Sequence, residues 1–218
     1  MPRTPAREWL SYTFTMTTEK IRALLLAGIF IPVVYFGLLI IAPLLYPGFS
    51  YVTQYASEMG SASARYPMVF NTGIMLCSVA GILASFGFFY AIRRLGGNTL
   101  LAALTGLTLF LFGIATFMGG RFPMPDERHG GYGLGLALQV APLFLALALW
   151  RRRSLRGLCI FLLVVFAVMT FFIAVMMGVG GLVTRANVGL WQRGNALAGF
   201  PWIGIAAWRL RKELDAEA

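Results

Sequence analysis

The chain has 218 residues, of which 59% are hydrophobic and only 12% charged, with a formal net charge of +10. A soluble domain carries roughly 25% charged residues and about 45–50% apolar ones, so the composition excludes a water-soluble surface and points to an integral membrane protein. Cys77 and Cys159 each lie inside an apolar run, which excludes the disulfide framework of a small secreted module.

In chain order, residues 1–20 form a polar N-terminal extension with no small-residue cleavage pattern after the first apolar run, so a removed signal peptide is not expected. Met16 opens "MTTEKIRALLLAG", which reads as a natural start and makes residues 1–15 either a dispensable extension or a start-site error. The membrane domain then occupies residues 21–211. Crossing a hydrocarbon core of about 30 Å takes about 20 largely apolar residues. Six stretches qualify, at about 21–46, 67–92, 99–118, 132–150, 158–183 and 188–208. They are too long for strands and lack the alternation of a lipid-facing barrel. The predicted fold is an all-α, polytopic bundle of six transmembrane helices.

Pro32, Pro43, Pro142 and Pro201 fall inside these spans and are expected to kink them. Gly81, Ala84 and Gly87 in the second span, and Gly178, Gly180 and Gly181 at the end of the fifth, read as small residues that let helices approach. Trp191, Trp202 and Trp208 bracket the sixth span as an aromatic belt would. Residues 212–218 read as a short solvated cytoplasmic tail.

Orientation follows from where the basic residues fall. Arg93 and Arg94, Arg151 to Arg153 with Arg156, and Arg209, Arg211 and Lys212 share one side with Arg3, Arg7, Lys20 and Arg22. The other side holds Arg65, Arg121, Arg128 and Arg185, with Arg193 just inside the last span. The positive-inside bias places both termini in the cytoplasm of a cell with this chain in its cytoplasmic, or inner, membrane. The arginine run is thus a topology signal and at most a contact for anionic lipid. No nucleic-acid partner is expected.

The remaining polar groups converge on the outer half. Glu58 and Arg65 lie in the first outer loop, Arg121, Asp126, Glu127, Arg128 and His129 in the second, and Arg185 in the third. Asn71 sits one turn into span two, Gln139 about two turns into span four, and Gln192, Arg193 and Asn195 at the start of span six. An arginine at the bilayer centre costs roughly 2.5–3.5 kcal/mol even on the lenient insertion scale, so it faces the interior with a partner. Glu58 and Asp126 are the carboxylates expected to pair with Arg193. These eleven positions, Glu58, Arg65, Asn71, Arg121, Asp126, His129, Gln139, Arg185, Gln192, Arg193 and Asn195, form the predicted ligand-binding set.

In "RFPMPDERHGGYGLG", Pro123 and Pro125 stiffen the chain and end the third helix by about Arg121, and the following glycines let it turn. Asp126 and His129 there admit acid–base chemistry, with Glu58 as a third member, or a loop tied by an Asp126–Arg salt bridge. A lone histidine does not build a metal site, and H-E-x-x-H is absent, so no metal and no cofactor are expected. Three readings stand: a protein that binds, transports or senses a lipid or small amphipathic, anionic ligand in an outward-facing polar pocket among membrane lipids; a hydrolase or transferase acting on a lipid headgroup through Asp126 and His129; and a structural subunit with no ligand.

"SYVTQYASEMGS", "FNTGI", "GGRFPMPDERH" and "GLWQRGNALAGFPWIGIAAWRL" resemble, in order and in placement between spans, the prokaryotic membrane family called domain of unknown function 998. The resemblance covers about residues 22 to 211 and implies a polytopic helical protein with no established activity. It singles out Ser57, Glu58, Asn71, Phe122, Pro123, Asp126, His129, Gln192 and Arg193. The pattern is also distantly similar to eukaryotic six-span proteins of the Frag1/DRAM/Sfk1 kind, which implies a link to lipid handling.

Overall fold

The computed structural model describes residues 16–217. Most of the expected N-terminal extension, with Arg3 and Arg7, lies outside the described residues. Helix α1, Thr18–Ile41, starts where Thr17 accepts a hydrogen bond from the Lys20 amide and Glu19 meets the positive end of the helix dipole. It passes Pro32 without a break and tightens into a 3-10 turn, Ala42–Leu45, set off by Pro43. Helix α2, Pro67–Arg94, opens on proline, whose missing N–H costs nothing in a first turn, and ends on Arg93 and Arg94 against its negative pole. Helix α3, Thr99–Arg121, is capped by Asn98, whose side chain accepts from the Leu101 amide.

A long 3-10 stretch, Glu127–Val140, then leads into α4, Ala141–Leu149. Helix α5 is Arg156–Met176, α6 is Val188–Gly199 and α7 is Pro201–Ala216. There is no strand among the described residues. Five segments are long and apolar enough to cross a bilayer: Thr18–Leu45, Pro67–Arg94, Thr99–Arg121, Glu127–Leu149 and Arg153–Met176. The sixth expected span is occupied by α6 and α7 end to end, each too short to be one of these five. The chain is a polytopic membrane helical bundle, as its composition implies.

Each helix packs on the next in sequence, and α7 returns against α1 to close the ring. Glycine makes the tightest crossings possible. A methyl group at Gly87 would lie 2.8 Å from the Leu25 amide, and one at Gly28 would lie 3.1 Å from the Ala207 methyl. Ser78 Oγ donates 2.7 Å to the Gly113 carbonyl across α2 and α3, a bond with no competitor in lipid. Trp202, Phe88, Leu25, Ile31 and Leu162 fill the interior. The perimeter is apolar instead, with Leu44 80% and Ile40 69% exposed, which suits acyl chains and not water.

Several local expectations change. The fourth crossing is not α-helical from residue 132: Gly131, Tyr132 and Gly133 all have positive φ, the chain then runs as a 3-10 stretch, and regular α geometry begins only at Ala141. Gly131 is required there, since a methyl group on it would lie 2.8 Å from the Ala115 backbone where the stretch rests on α3. The fifth crossing stops at Met176, and Gly178, Gly180 and Gly181 take positive φ in an exposed turn and pack against no helix. Pro142 and Pro201 lie in the first turns of α4 and α7, so they begin helices where kinks within spans were expected. Trp202 is wholly buried and so belongs to the core, not to an interfacial belt.

The C-terminal tail also differs from a solvated end. Helix α7 continues through Ala216 because Leu210 and Leu214, one turn apart, both find the core. Arg152 then draws the acidic end of α7 inward, through Glu213 Oε1 at 3.0 Å and a contact with Glu217, while donating to the Leu95 carbonyl at 2.8 Å. The basic residues therefore gather at one end of the bundle, and the long loops at the other.

Candidate functional site

At the loop end, the segment between α1 and α2 is sewn to three helices, α1, α2 and α6. Tyr51 Oη donates to the Leu39 carbonyl at 2.8 Å. Gln54 Nε2 bridges Tyr46 Oη and Glu58 Oε2, at 3.2 and 3.0 Å, while Glu58 Oε1 accepts from the Tyr55 amide at 2.7 Å and opens the 3-10 turn Ala56–Gly60. Gln192 Oε1 accepts from the Ala56 amide at 2.7 Å, and Asn71 Nδ2 donates to the Gly60 carbonyl at 2.9 Å. Glu58, Asn71 and Gln192 from the predicted set thus meet around one loop.

Arg193 completes this clamp from α6. Its Nη1 donates to the Gln54 carbonyl at 2.8 Å and to the Gly189 carbonyl at 2.9 Å. The guanidinium stands 5.1 Å from the centre of the Tyr51 ring and 5.4 Å from that of Phe49, within cation–π range. Neither predicted carboxylate forms a salt bridge with it. Both Glu58 oxygens are taken by Gln54 and Tyr55, and Asp126 is bound elsewhere. Tyr35, Tyr51 and Glu58 are its ionisable neighbours, and Nε and Nη2 are buried with no acceptor among the described residues.

Four further buried polar atoms have no hydrogen-bond partner among the described residues: Asn195 Oδ1 two residues on, Trp202 Nε1 at the start of α7, Gln139 Oε1 just before α4, and, at the basic end, Arg22 Nε, which lies 3.0 Å from Asp215 Oδ1 in a salt bridge. A buried polar group left unpaired costs about 1–3 kcal/mol, and more if charged. Arg193, Asn195 and Trp202 flank the junction of α6 and α7, so most of the unspent hydrogen-bonding capacity lies there. Tyr35 lies flat on Phe200 at that junction, ring centres 3.9 Å apart, and Phe112 meets Phe200 edge-on at 5.6 Å.

The second loop is organised separately. Arg128 grips Asp126 with Nε to Oδ1 at 3.0 Å and Nη2 to Oδ2 at 2.7 Å, while the Arg128 amide also donates to Oδ1 at 2.9 Å. These bonds hold the Asp126 carboxyl down at about 2. His129 Nδ1 donates instead to the Phe122 carbonyl at 2.9 Å, with the ring beside Gly119 of α3. Asp126 therefore neither orients His129 nor carries a proton near neutrality. The serines of the first loop bond elsewhere than to His129: Ser57 Oγ contacts Met124 Sδ at 3.1 Å and Ser61 Oγ donates to the Glu58 carbonyl. The salt-bridged loop is the arrangement found.

Arg65, Arg121 and Arg185 are exposed and do not join Arg193; Arg65 and Arg121 lie over the adjoining Tyr66 and Phe122 rings, at 5.4 Å each. Among the described residues, no three His, Cys, Asp or Glu side chains are placed to share a metal ion. Phe49, Tyr51, Gln54 and Trp202 belong to the site but escape a search for charge. Gln54, four residues before Glu58 in a loop facing a buried arginine, was the one polar signal available for them.

No curated protein and no solved structure matches the chain. A family model does, over residues 28–209, which takes in every helix from α1 to the middle of α7. The chain belongs to the family described as "Protein of unknown function (DUF998)".

Proposed function

We propose that the chain binds an anionic amphipathic molecule, a lipid or a smaller amphiphile, with its acidic group against Arg193 and its apolar part along the junction of α6 and α7. One observation carries the reading: a half-buried guanidinium keeps two buried nitrogens, Nε and Nη2, without an acceptor and forms no ion pair among the described residues. A buried charge of this kind is stabilised by an incoming anion, and guanidinium suits carboxylate and phosphate alike. Asn195, Gln139 and Trp202 supply the polar atoms that orient the bound group. With the basic end in the cytoplasm, the ligand enters from the outer face beneath the first loop, and binding, transport or sensing of such a molecule in the cytoplasmic membrane is the resulting role. The structural-subunit reading draws on the same arginine, because its bonds to Gln54 and Gly189 also fasten the loop.

Arg193→Gln separates the two, since an amide can still donate to the loop carbonyl but has no charge. The thermal stability of the detergent-solubilised protein is measured with decyl phosphate, decanoate and a zwitterionic amphiphile of equal chain length. The wild type is expected to gain stability from the two anionic compounds alone, and Arg193→Gln to remain folded without that gain. Equal responses in the two proteins overturn ligand binding at Arg193 and leave the clamp.

A further inference from the structure

At the basic end, α2 and α3 approach closely at Gly106, where a methyl group would lie 3.3 Å from both Phe89 Cβ and the Ser85 carbonyl. The crossing leaves a slot of about 380 Å³ on the lipid-facing side, walled by Phe86, Phe89, Tyr90, Ala103, Leu107 and Phe110. Ser85 turns its Oγ onto the Ile82 carbonyl of its own helix, so its hydroxyl is spent within α2 and the slot walls are mainly apolar. Phe89 and Tyr90 are also walls of a second recess of about 360 Å³, which continues toward the basic end and is lined by Arg93, Arg94 and Thr99. Two recesses that share the Phe89 and Tyr90 walls therefore lead from apolar side chains to two guanidinium groups.

Among the described residues, charge pairing leaves these two guanidinium groups free, as it does Arg151, Arg153 and Arg156, and the adjacent apolar slot is what sets Arg93 and Arg94 apart. Arg22 is paired with Asp215 at 3.0 Å, and Arg152 with Glu213 and Glu217. Arg93 and Arg94 have no carboxylate partner among the described residues; Arg93 Nη1 is held by Thr99 Oγ1, and the Glu217 side chain near Arg94 is engaged by Arg152. The C-terminal acids thus neutralise two arginines and leave the pair above the slot available. We propose that this is a specific site for an anionic phospholipid of the leaflet at the basic end, one acyl chain in the α2–α3 slot and the phosphate on Arg93 and Arg94. It lies at the opposite end from Arg193 and does not depend on the role given to that residue.

The test is retention of lipid by the full chain in bilayer discs of equal phosphatidylglycerol and phosphatidylcholine, followed by native mass spectrometry. Wild type is expected to retain phosphatidylglycerol selectively. Each basic residue near an anionic surface contributes enough that R93Q/R94Q should lose about 20–30-fold in retention. Ala103→Trp, which fills the slot from an exposed position without touching the core, should lose retention with both arginines in place, and Arg193→Gln should keep it. Equal retention of the two lipids, or wild-type retention by R93Q/R94Q or by Ala103→Trp, overturns the proposal. So does selectivity that emerges only in a chain beginning at Met16, which would make the N-terminal segment the natural occupant.

Discussion

Gly189→Ala puts the link between the first loop and Arg193 to a quantitative test. A methyl group at this position would lie 2.5 Å from both the Gln54 and the Tyr51 carbonyl oxygens and 2.8 Å from Arg193 Nη1. Ordinary contact begins near 3.4 Å, so the loop must retreat by about 0.9 Å. At that displacement the bond from Arg193 to Gln54, now 2.8 Å, is broken. Overpacking costs about 1–3 kcal/mol, and a hydrogen bond to a charged group contributes about 1.5–3 kcal/mol. These are alternative routes of relief, so they do not add, and replacing a helical glycine returns up to about 1 kcal/mol. The net expectation is a loss of about 1–2 kcal/mol, or several degrees at roughly 2–4 °C per kcal/mol for a chain of this size.

Gly37→Ala is the matched control, because that helical glycine has nothing within 4 Å of a new methyl group. The assay is thermal unfolding of both variants in the same detergent, with limited proteolysis of the first loop as the local readout. Gly189→Ala should be destabilised with faster cleavage between Pro47 and Tyr66, and Gly37→Ala should be neutral or slightly stabilised. If the two behave alike, the loop is not held by its approach to α6 and the clamp is wrongly assigned.

Two further outcomes follow from the loops. Asp126 titrates at about 2, below an ordinary aspartate near 3.9, so its pairing with Arg128 is fully present above about pH 4 and is lost as pH falls through about 2. Arg128→Ala should return the Asp126 carboxyl midpoint, followed by carbon NMR, to the ordinary range; an unchanged midpoint shows that Arg128 is not its cause. For orientation, Cys77 and Cys159 are both buried and give no background to thiol labelling. A membrane-impermeant maleimide should modify Ser63→Cys in intact cells and spare Ser154→Cys until the cells are opened, and the reverse pattern would invert the proposed topology.

How much of this was readable beforehand depends on what each feature is made of. The crossings announce themselves because a bilayer demands a long apolar run from every span, whatever its neighbours do. Where α geometry stops inside those runs was less visible. The glycines around Gly131 signal a turn, but the irregular path to Val140 depends on how closely the chain lies on Ala115, a contact between distant residues. Pro201 similarly marks a disturbance without saying that it begins a new helix. Leu214 looked like part of a charged tail because its burial needs the tertiary partner that Arg152 secures.

Arg193 stood out for a different reason: a charge in an apolar run has to be explained wherever it points. Its partners did not stand out, because the oxygens of Gln54 and Gly189 that it uses are backbone atoms, and any residue could have supplied them. A search for carboxylates found Glu58, which does belong to the cluster but acts through Gln54 and Tyr55, and Asp126, which belongs to another loop.

The interruption of the sixth expected span and the unspent polar atoms have a common physical origin. Within a bilayer, backbone groups released by a helix break must be satisfied by protein or by something held inside it, since lipid offers no hydrogen bonds. The break at Phe200 is bridged by the Phe200 amide to the Ala196 carbonyl and the Ile203 amide to the Phe200 carbonyl, at 3.0 and 3.2 Å. The backbone is therefore largely repaired locally, and aromatic rings of Tyr35 and Phe112 cover it. What remains unpaired is side chain: Arg193 and Asn195 before the break, Trp202 after it. A span selected only for packing could replace all three with apolar residues of similar volume, removing the desolvation cost without opening a cavity. On the proposed reading, these side chains beside a break whose backbone is already satisfied hold their hydrogen bonds for the ligand.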